Sequence, residues 1–425
     1  MFHARDSCQF PAALAIAPAP LGLGDCYMPA EAPHIRPSYA ILIAISAVGP
    51  LALNIFMPSM PGLQQEFGVS YGVAQLTLTL YLVGMAVCQL VYGPISDKVG
   101  RRPMLLTGMA LFVIASVMAA LAPTIHVLIA ARLLQAVGGA AGIVLARAMV
   151  RDVFDRETSA SVISYITMAF VVAPMVAPAI GGYIDVHGGW RMGFWALAAL
   201  GAVIMAAAFR HLPETHVNRS QAGGGMSLLT GAVSLFALPR FRGYTLVLAF
   251  TSSVFFAFLG GAPHIMMDVL GRTPMEYGLW FATVSAGYMA GNFISGRYTR
   301  KVGLDRMIMA GCGITLSGGL LCFAAAVTGL LSPATLFLPM CLAALGNGLT
   351  IPNGTAGAIS VDPRLTGAAA GWSGFAQMAC GAAASQLVGS LQDGWPAAVF
   401  WFMAGASLLA LLSHLAALRK AEPAG

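Results

Sequence analysis

Long apolar runs separated by short polar stretches dominate the pattern of this chain. Runs long enough to cross the hydrocarbon of a bilayer, about 20 residues each, fall near 39–60, 71–95, 103–122, 126–148, 159–184 and 190–210. A polar stretch from His211 to Arg242 follows, and further runs lie near 243–267, 276–296, 305–328, 333–354, 365–391 and 395–416. No period-two alternation is present, so the runs predict helices, which satisfy their own backbone groups inside lipid. The pattern also repeats. Gly84, Gly93, Lys98, Val99 and Gly100 return 203 residues later as Gly287, Gly296, Lys301, Val302 and Gly303, with Gln89 answered by Asn292. The expected fold is an all-α membrane protein of twelve transmembrane helices in two parallel six-helix pseudo-repeats, with a substrate path between them. The expected organisation is a disordered N-terminal extension over 1–37, a first half over 38–210, a cytoplasmic linker over 211–242, a second half over 243–416 and a tail over 417–425.

Composition points to lipid as the main solvent. The residues are 58% hydrophobic and only 9% charged, with a mean hydropathy of +0.80, whereas a soluble domain carries about 25% charged residues. The net charge of +6 would suggest nucleic acid in a polar protein. Here the basic residues sit in short loops and form no patch interleaved with aromatics, so no nucleic-acid partner is expected. They set orientation instead. With the N-terminus inside, the inner loops, linker and tails hold 19 Lys and Arg, the outer loops hold Arg191 and Arg272, and Arg132 lies within a run. Cytoplasmic loops carry such an excess, so both termini are expected in the cytoplasm, with the chain in a bacterial inner membrane. The seven cysteines show no CxxC spacing and read as small packing residues, with no metal site. The Pro- and Ala-rich start lacks a basic-apolar-cleavage pattern. Met28 begins a short polar leader into the first run, so residues 1–27 read either as a disordered extension or as a misassigned start.

Four stretches carry chemistry. GPISDKVGRRP at 93–103 holds Asp97, which can pair with a nearby Arg or cap a helix, and Arg101, an inside anchor. RLLQAVG at 132–138 buries Arg132 at roughly 2.5–3.5 kcal/mol on insertion scales, which places it toward the bundle interior or a watery cavity unless it snorkels to the interface. APMVAPAIGG at 173–182 bends a helix twice, at Pro174 and Pro178, and offers Gly181 and Gly182 for close approach. NIFMPSMP at 54–61 opens with Asn54. The first of these resembles the loop between spans two and three of the major facilitator superfamily, and the second its span-four pattern, whose Arg is implicated in proton coupling. The third resembles the span-five pattern of its drug exporters. With the fourth and the run through Asp152, the chain from about 37 to 416 is similar to the bicyclomycin and chloramphenicol resistance (Bcr/CflA) family of proton-coupled exporters. It departs from that family at Asn54, where an Asp linked to proton and cation handling is common.

No acid falls at the midplane of any assigned run, which leaves Asp97, Asp268 and His264 as candidates for titration. Tyr81, Gln135, Tyr165, Met168, Phe255, Phe256, Phe258, Asn292, Asn347 and Gln377, with Asn54, lie on spans that line the cavity in the superfamily. Their apolar, amide and hydroxyl groups suit a small hydrophobic organic substrate with few fixed hydrogen bonds; packing is the competing role for each. No Walker, HExxH or GxSxG string is present, so no enzyme activity and no cofactor are expected. The resemblance implies a monomeric secondary exporter of hydrophobic drugs or metabolites, working by alternating access with proton coupling. An uptake symporter for a small polar metabolite, or a membrane sensor without transport, are the alternatives.

Overall fold

The structure, a computed structural model, describes residues 37–154, 156–215, 228–362, 364–392 and 397–419. The predicted extension and most of the tail lie outside the described residues. Among those described the secondary structure is helical throughout. In the first half α1 spans Tyr39–Ile55. Pro58 and Pro61 then interrupt the α-helical ladder, giving a tight 3-10 turn over Met57–Ser59 before α2, Met60–Phe67. Next come α3 (Tyr71–Val99), α4 (Arg101–Ala120), α5 (Ile125–Val153) and α6 (Arg156–His211). The last holds two crossings that meet at Gly189, whose φ of 71° breaks the helix. In the second half α7 (Leu228–Ala237) precedes α8 (Pro239–His264), which ends in a π turn over Ile265–Val269. Then follow α9 (Pro274–Val302), α10 (Leu304–Val327), α11 (Pro333–Ser360), α12 (Thr366–Leu391) and α13 (Ala398–Arg419).

Nine stretches among the described residues are long and apolar enough to cross a membrane by length and composition alone. One of them, 172–211, runs through the break at Gly189 and so takes in part of the first arm of α6 and all of the second. The remaining long helices are α9 and α12, which carry Asn292, Gln377 and Gln386 along with many small residues. Counting both arms of α6 and these two gives the twelve crossings.

The repeat is visible in the backbone. Shifting α3 by 203 residues superimposes both of its limits on those of α9. The linking residues Gly100 and Gly303 match as well, with φ 108° and ψ 152° against φ 93° and ψ 150°. Side-chain-bearing residues rarely adopt that positive φ, so a glycine at each position makes the same sharp turn.

Part of the stretch expected as a linker, 211–242, lies among the described residues. That stretch holds an apolar helix, α7, whose Leu235 is buried with Phe241, Leu248, Ala358 and Leu365. Ten residues are too few to cross a bilayer, so the segment packs on the bundle instead.

The crossings alternate in direction, so their junctions gather at two ends. The near end holds Gly100, Phe154 and Leu212, tied together through Arg101, Asp152 and Glu214. The far end holds Phe67, Ala122 and Gly189, tied through Glu66, Trp190 and Arg191. Between the halves, α3 packs on α12 and α6 on α9.

Candidate functional site

Arg132 lies at the centre of the first half. It is fully buried on α5, together with Gln135 one turn on. Its guanidinium stands over Tyr81 of α3 at 4.3 Å, over Phe56 beyond α1 at 4.8 Å and over Phe194 of α6 at 5.7 Å. Each such cation–π contact contributes about 0.5–2 kcal/mol, and three rings from three segments offset part of the desolvation that burial imposes. One terminal nitrogen donates to the Ala52 carbonyl at 3.1 Å and to Gln135 at 2.5 Å. Gln135 donates in turn to Ser116 of α4 at 2.8 Å, and Tyr81 donates its hydroxyl proton to the Gly49 carbonyl at 2.8 Å. The other terminal nitrogen and Nε of Arg132 have no hydrogen-bond partner, and no carboxylate pairs with the group among the described residues. A guanidinium carries five N–H donors, so this one keeps unsatisfied donors in an aromatic setting. Asn54 is buried nearby in sequence, donating to the Pro50 carbonyl at 2.8 Å, with its own carbonyl oxygen left without a partner.

The halves meet along a polar seam toward the far end. Tyr71 of α3 donates to the Gly260 carbonyl of α8 at 2.9 Å, Gln75 to Ser385 at 2.5 Å and Thr79 to Gln386 at 2.8 Å. Gln386 donates back to the Gly72 carbonyl at 3.0 Å. On the other side of the bundle the stretch of α6 around Gly181 and Gly182 presses against bare backbone. A β-carbon on Gly181 would collide with the Ile55 carbonyl, and one on Gly182 with the Pro274 carbonyl. From the opposite face, a β-carbon on Gly278 would lie 2.5 Å from the Pro178 carbonyl oxygen. Pro174 and Pro178 stand in this segment. The α3–α12 contact runs on toward the near end, where Gln89 meets Gly374.

Asp97 pairs within its own half. Its carboxylate is 2.7 Å from Arg101, which also holds Asp152 at 3.0 Å and Ser96 at 2.5 Å. Glu214, just beyond α6, accepts from the backbone N–H groups of Arg101 and Arg102 at 3.0 and 3.3 Å. That carboxylate caps α4 at its N-terminus, where partial positive charge favours an anion.

The remaining sequence candidates scatter. Phe255 and Phe256 contact each other edge-on, and Phe255 also meets Phe281. Phe258, fully buried, packs edge-on against Phe337. Asn292 donates to the Tyr288 carbonyl at 2.8 Å on its own helix. Asn347 is buried and accepts from Thr315 of α10 at 3.1 Å. Gln377 accepts from Ser252 at 3.3 Å. Tyr165 is exposed, and Met168 has a side chain outside the described set. Beyond the far-end seam His264 sits 2.8 Å from Asp268, its ring against Tyr71.

Sequence reasoning missed Phe56, Phe194, Ser116 and Glu214. Nothing local marks them, because each acts on a residue from a different helix.

A family model described as the Major Facilitator Superfamily matches residues 42–385. The chain is 32% identical to multidrug resistance protein D of Escherichia coli (strain K12), over 77% of this chain and 82% of that protein. It is 33% identical to a chloramphenicol resistance protein of Pseudomonas aeruginosa, over 74% and 75%. In fold it is similar to the crystal structure of a D-xylose-proton symporter, with a TM-score of 0.70 at 16% identity over 89% of this chain and 95% of the other. The matched span, these relatives and the twelve-crossing repeat agree: the chain is a multi-pass membrane protein of the major facilitator superfamily, in its bicyclomycin and chloramphenicol resistance (Bcr/CflA) family.

Proposed function

We propose that this protein exports hydrophobic drugs or metabolites by alternating access, coupled to proton entry, with its near end in the cytoplasm of a bacterial inner membrane. The observation that carries the reading is Arg132: a buried cation beneath three rings, with free donors. Such a group recognises a neutral or weakly anionic organic molecule through its unsatisfied N–H donors, and the rings supply apolar contact. The direction of transport rests on the resistance proteins among its relatives, since the fold also serves a symporter. Orientation rests on charge: Lys98, Arg101, Arg102, Arg151, Arg297, Arg300, Lys301 and Arg306 cluster at the near end, with Arg191 and Arg272 at the other. Alternating access then means breaking the far-end hydrogen bonds and exchanging them for water, which a polar seam tolerates far better than an apolar one. The test is a drug-susceptibility panel on cells expressing the protein, followed by chloramphenicol and ethidium transport in everted vesicles with an imposed pH gradient. Resistance together with gradient-driven transport is expected. Transport that ignores the gradient would remove the proton coupling, and unaltered susceptibility to the whole panel would remove the export reading.

A further inference from the structure

A narrow crevice opens between α1 and the two arms of α6, lined by Ile55, Phe56, Ser59, Asp185, Trp190 and Phe194 among others. Its position follows from the close contact already described. Gly181 brings the backbone of α6 onto the Ile55 carbonyl. Four residues further along each strand of chain, the 3-10 turn presents Ser59, which donates to an oxygen of Asp185 at 2.7 Å. Two of the crevice-lining rings, Phe56 and Phe194, are the same rings that lie against the Arg132 guanidinium. The carboxylate therefore lines the same crevice as two of the rings that lie against the buried cation.

Asp185 differs from the other described acids. Glu66 pairs with Arg191, Asp97 and Asp152 with Arg101, Asp268 with His264 and Asp362 with Arg364. Asp305 is held by Tyr244 and by His414, Glu214 caps α4, and Glu276 closes a capping box with Thr273. Asp185 is partly buried, has Ser59 as its hydrogen-bond donor, and has no cation within ion-pair distance among the described residues. The charged and titratable groups on the elements around it are accounted for. Arg132 on α5 lies against the shared rings, and Glu66 on α2 is engaged by Trp190 and Arg191. His187 on α6 bonds the Tyr183 carbonyl, and Glu276 on α9 is held in its capping box.

We propose that Asp185 is the proton-binding carboxylate of this transporter, loaded from the far end and coupled to Arg132 through Phe56 and Phe194. The inference rests on the proton-coupled export reading and names the site. The step is a simple protonation: water at the far end delivers a proton to a carboxylate oxygen, one O–H bond forms, and the group becomes a neutral acid. As an anion Asp185 favours a hydrated, open crevice; as a neutral acid it fits among the apolar walls, because burying an uncompensated charge is costly. Its protonation therefore biases the far end between closed and open arrangements by its different surroundings in the two. A substrate beside Arg132 acts on the same rings, so substrate and proton influence each other reciprocally, as any coupled pair of ligands must.

The test has one arm that needs no substrate. Acidifying purified wild-type protein in detergent should raise a carboxylic-acid C=O band in the infrared difference spectrum. Asp185→Asn should lose that band, Asp185→Glu should shift its frequency, and Ser59→Ala should move its titration midpoint. An identical band in Asp185→Asn overturns the assignment. If that variant does not fold, an unshifted frequency in Asp185→Glu with an unmoved midpoint in Ser59→Ala overturns it equally. In everted vesicles, gradient-driven chloramphenicol transport should fall about tenfold or more in Asp185→Asn, and chloramphenicol binding to that variant should lose the pH dependence that wild type shows. Transport in Asp185→Asn that responds to the gradient as wild type does overturns the proposal. A wild type that transports without responding to the gradient overturns instead the proton-coupled reading on which it rests, whatever the infrared result.

Discussion

The two halves share a backbone plan and differ in what they bury at its centre. In the first, α5 carries Arg132 and, three residues on, Gln135, which bonds Ser116 of α4. In the second, α11 carries Ala344 and, three residues on, Asn347, which bonds Thr315 of α10. An amide–hydroxyl contact therefore ties the corresponding helix pair in each half, but only the first adds a cation beneath it. Further along α11, Asn353 donates to Ser295 and accepts from Thr299, again without charge. Under the proposed function this shared geometry with unshared chemistry becomes a division of labour, in which the first half would hold substrate and proton and the second would be the body against which it moves.

That division can be broken in a graded way. Arg132→Ala removes the buried cation that α11 lacks, and export should fall about 100-fold or more with membrane insertion retained. Vesicle transport at matched expression checks this, and near-wild-type export would end the division. Asn54→Asp adds a carboxylate to the first half. The ratio of ethidium to chloramphenicol transport should rise severalfold, on the order of 1.4 kcal/mol of altered preference per tenfold. An unchanged ratio in well-folded protein would mean that Asn54 serves packing alone. Asp97→Asn should slow turnover only a few-fold and leave binding intact, because buried Arg101 keeps Asp152 and Ser96 when the exposed Asp97 is neutralised. Rates in vesicles beside binding by tryptophan quenching separate the two effects. Smallest is Thr315→Val in the neutral half. Losing its bond to Asn347 should cost about 1 kcal/mol of stability, seen as a lower thermal midpoint, with substrate preference unmoved. A change of preference there would show that the second half also selects.

Lipid made much of the fold legible in sequence. A bilayer demands continuous apolar helices, so α3 and α9 declared themselves as runs, and Gly100 and Gly303 as matched turns. The short helix α7 did not, because its ten residues fall below spanning length and lie between polar flanks. Arg132 stood out as a charge in an apolar run, and Asp97 as part of a recognisable loop. The ring cluster around Arg132 was hidden: Phe56 and Phe194 look like ordinary core aromatics, and only the meeting of the helices brings them to the cavity candidate Tyr81. Gln75 and Ser385 are 310 positions apart, and no local pattern announces a bond across that distance. Asp185 closes an apolar run, where an acid reads as a boundary marker rather than as part of a crevice.

The contact of Gly278 with the Pro178 carbonyl works as a gasket without compressible material. No side chain lies between the two backbones, so the thickness of the joint is set by main-chain atoms alone and cannot be tuned by rotamer changes. Any atom added at 278 becomes a shim of known volume. Alanine, serine and valine placed there would wedge the far end apart by successive increments, turning one position into a ruler for how tightly the outer joint must close.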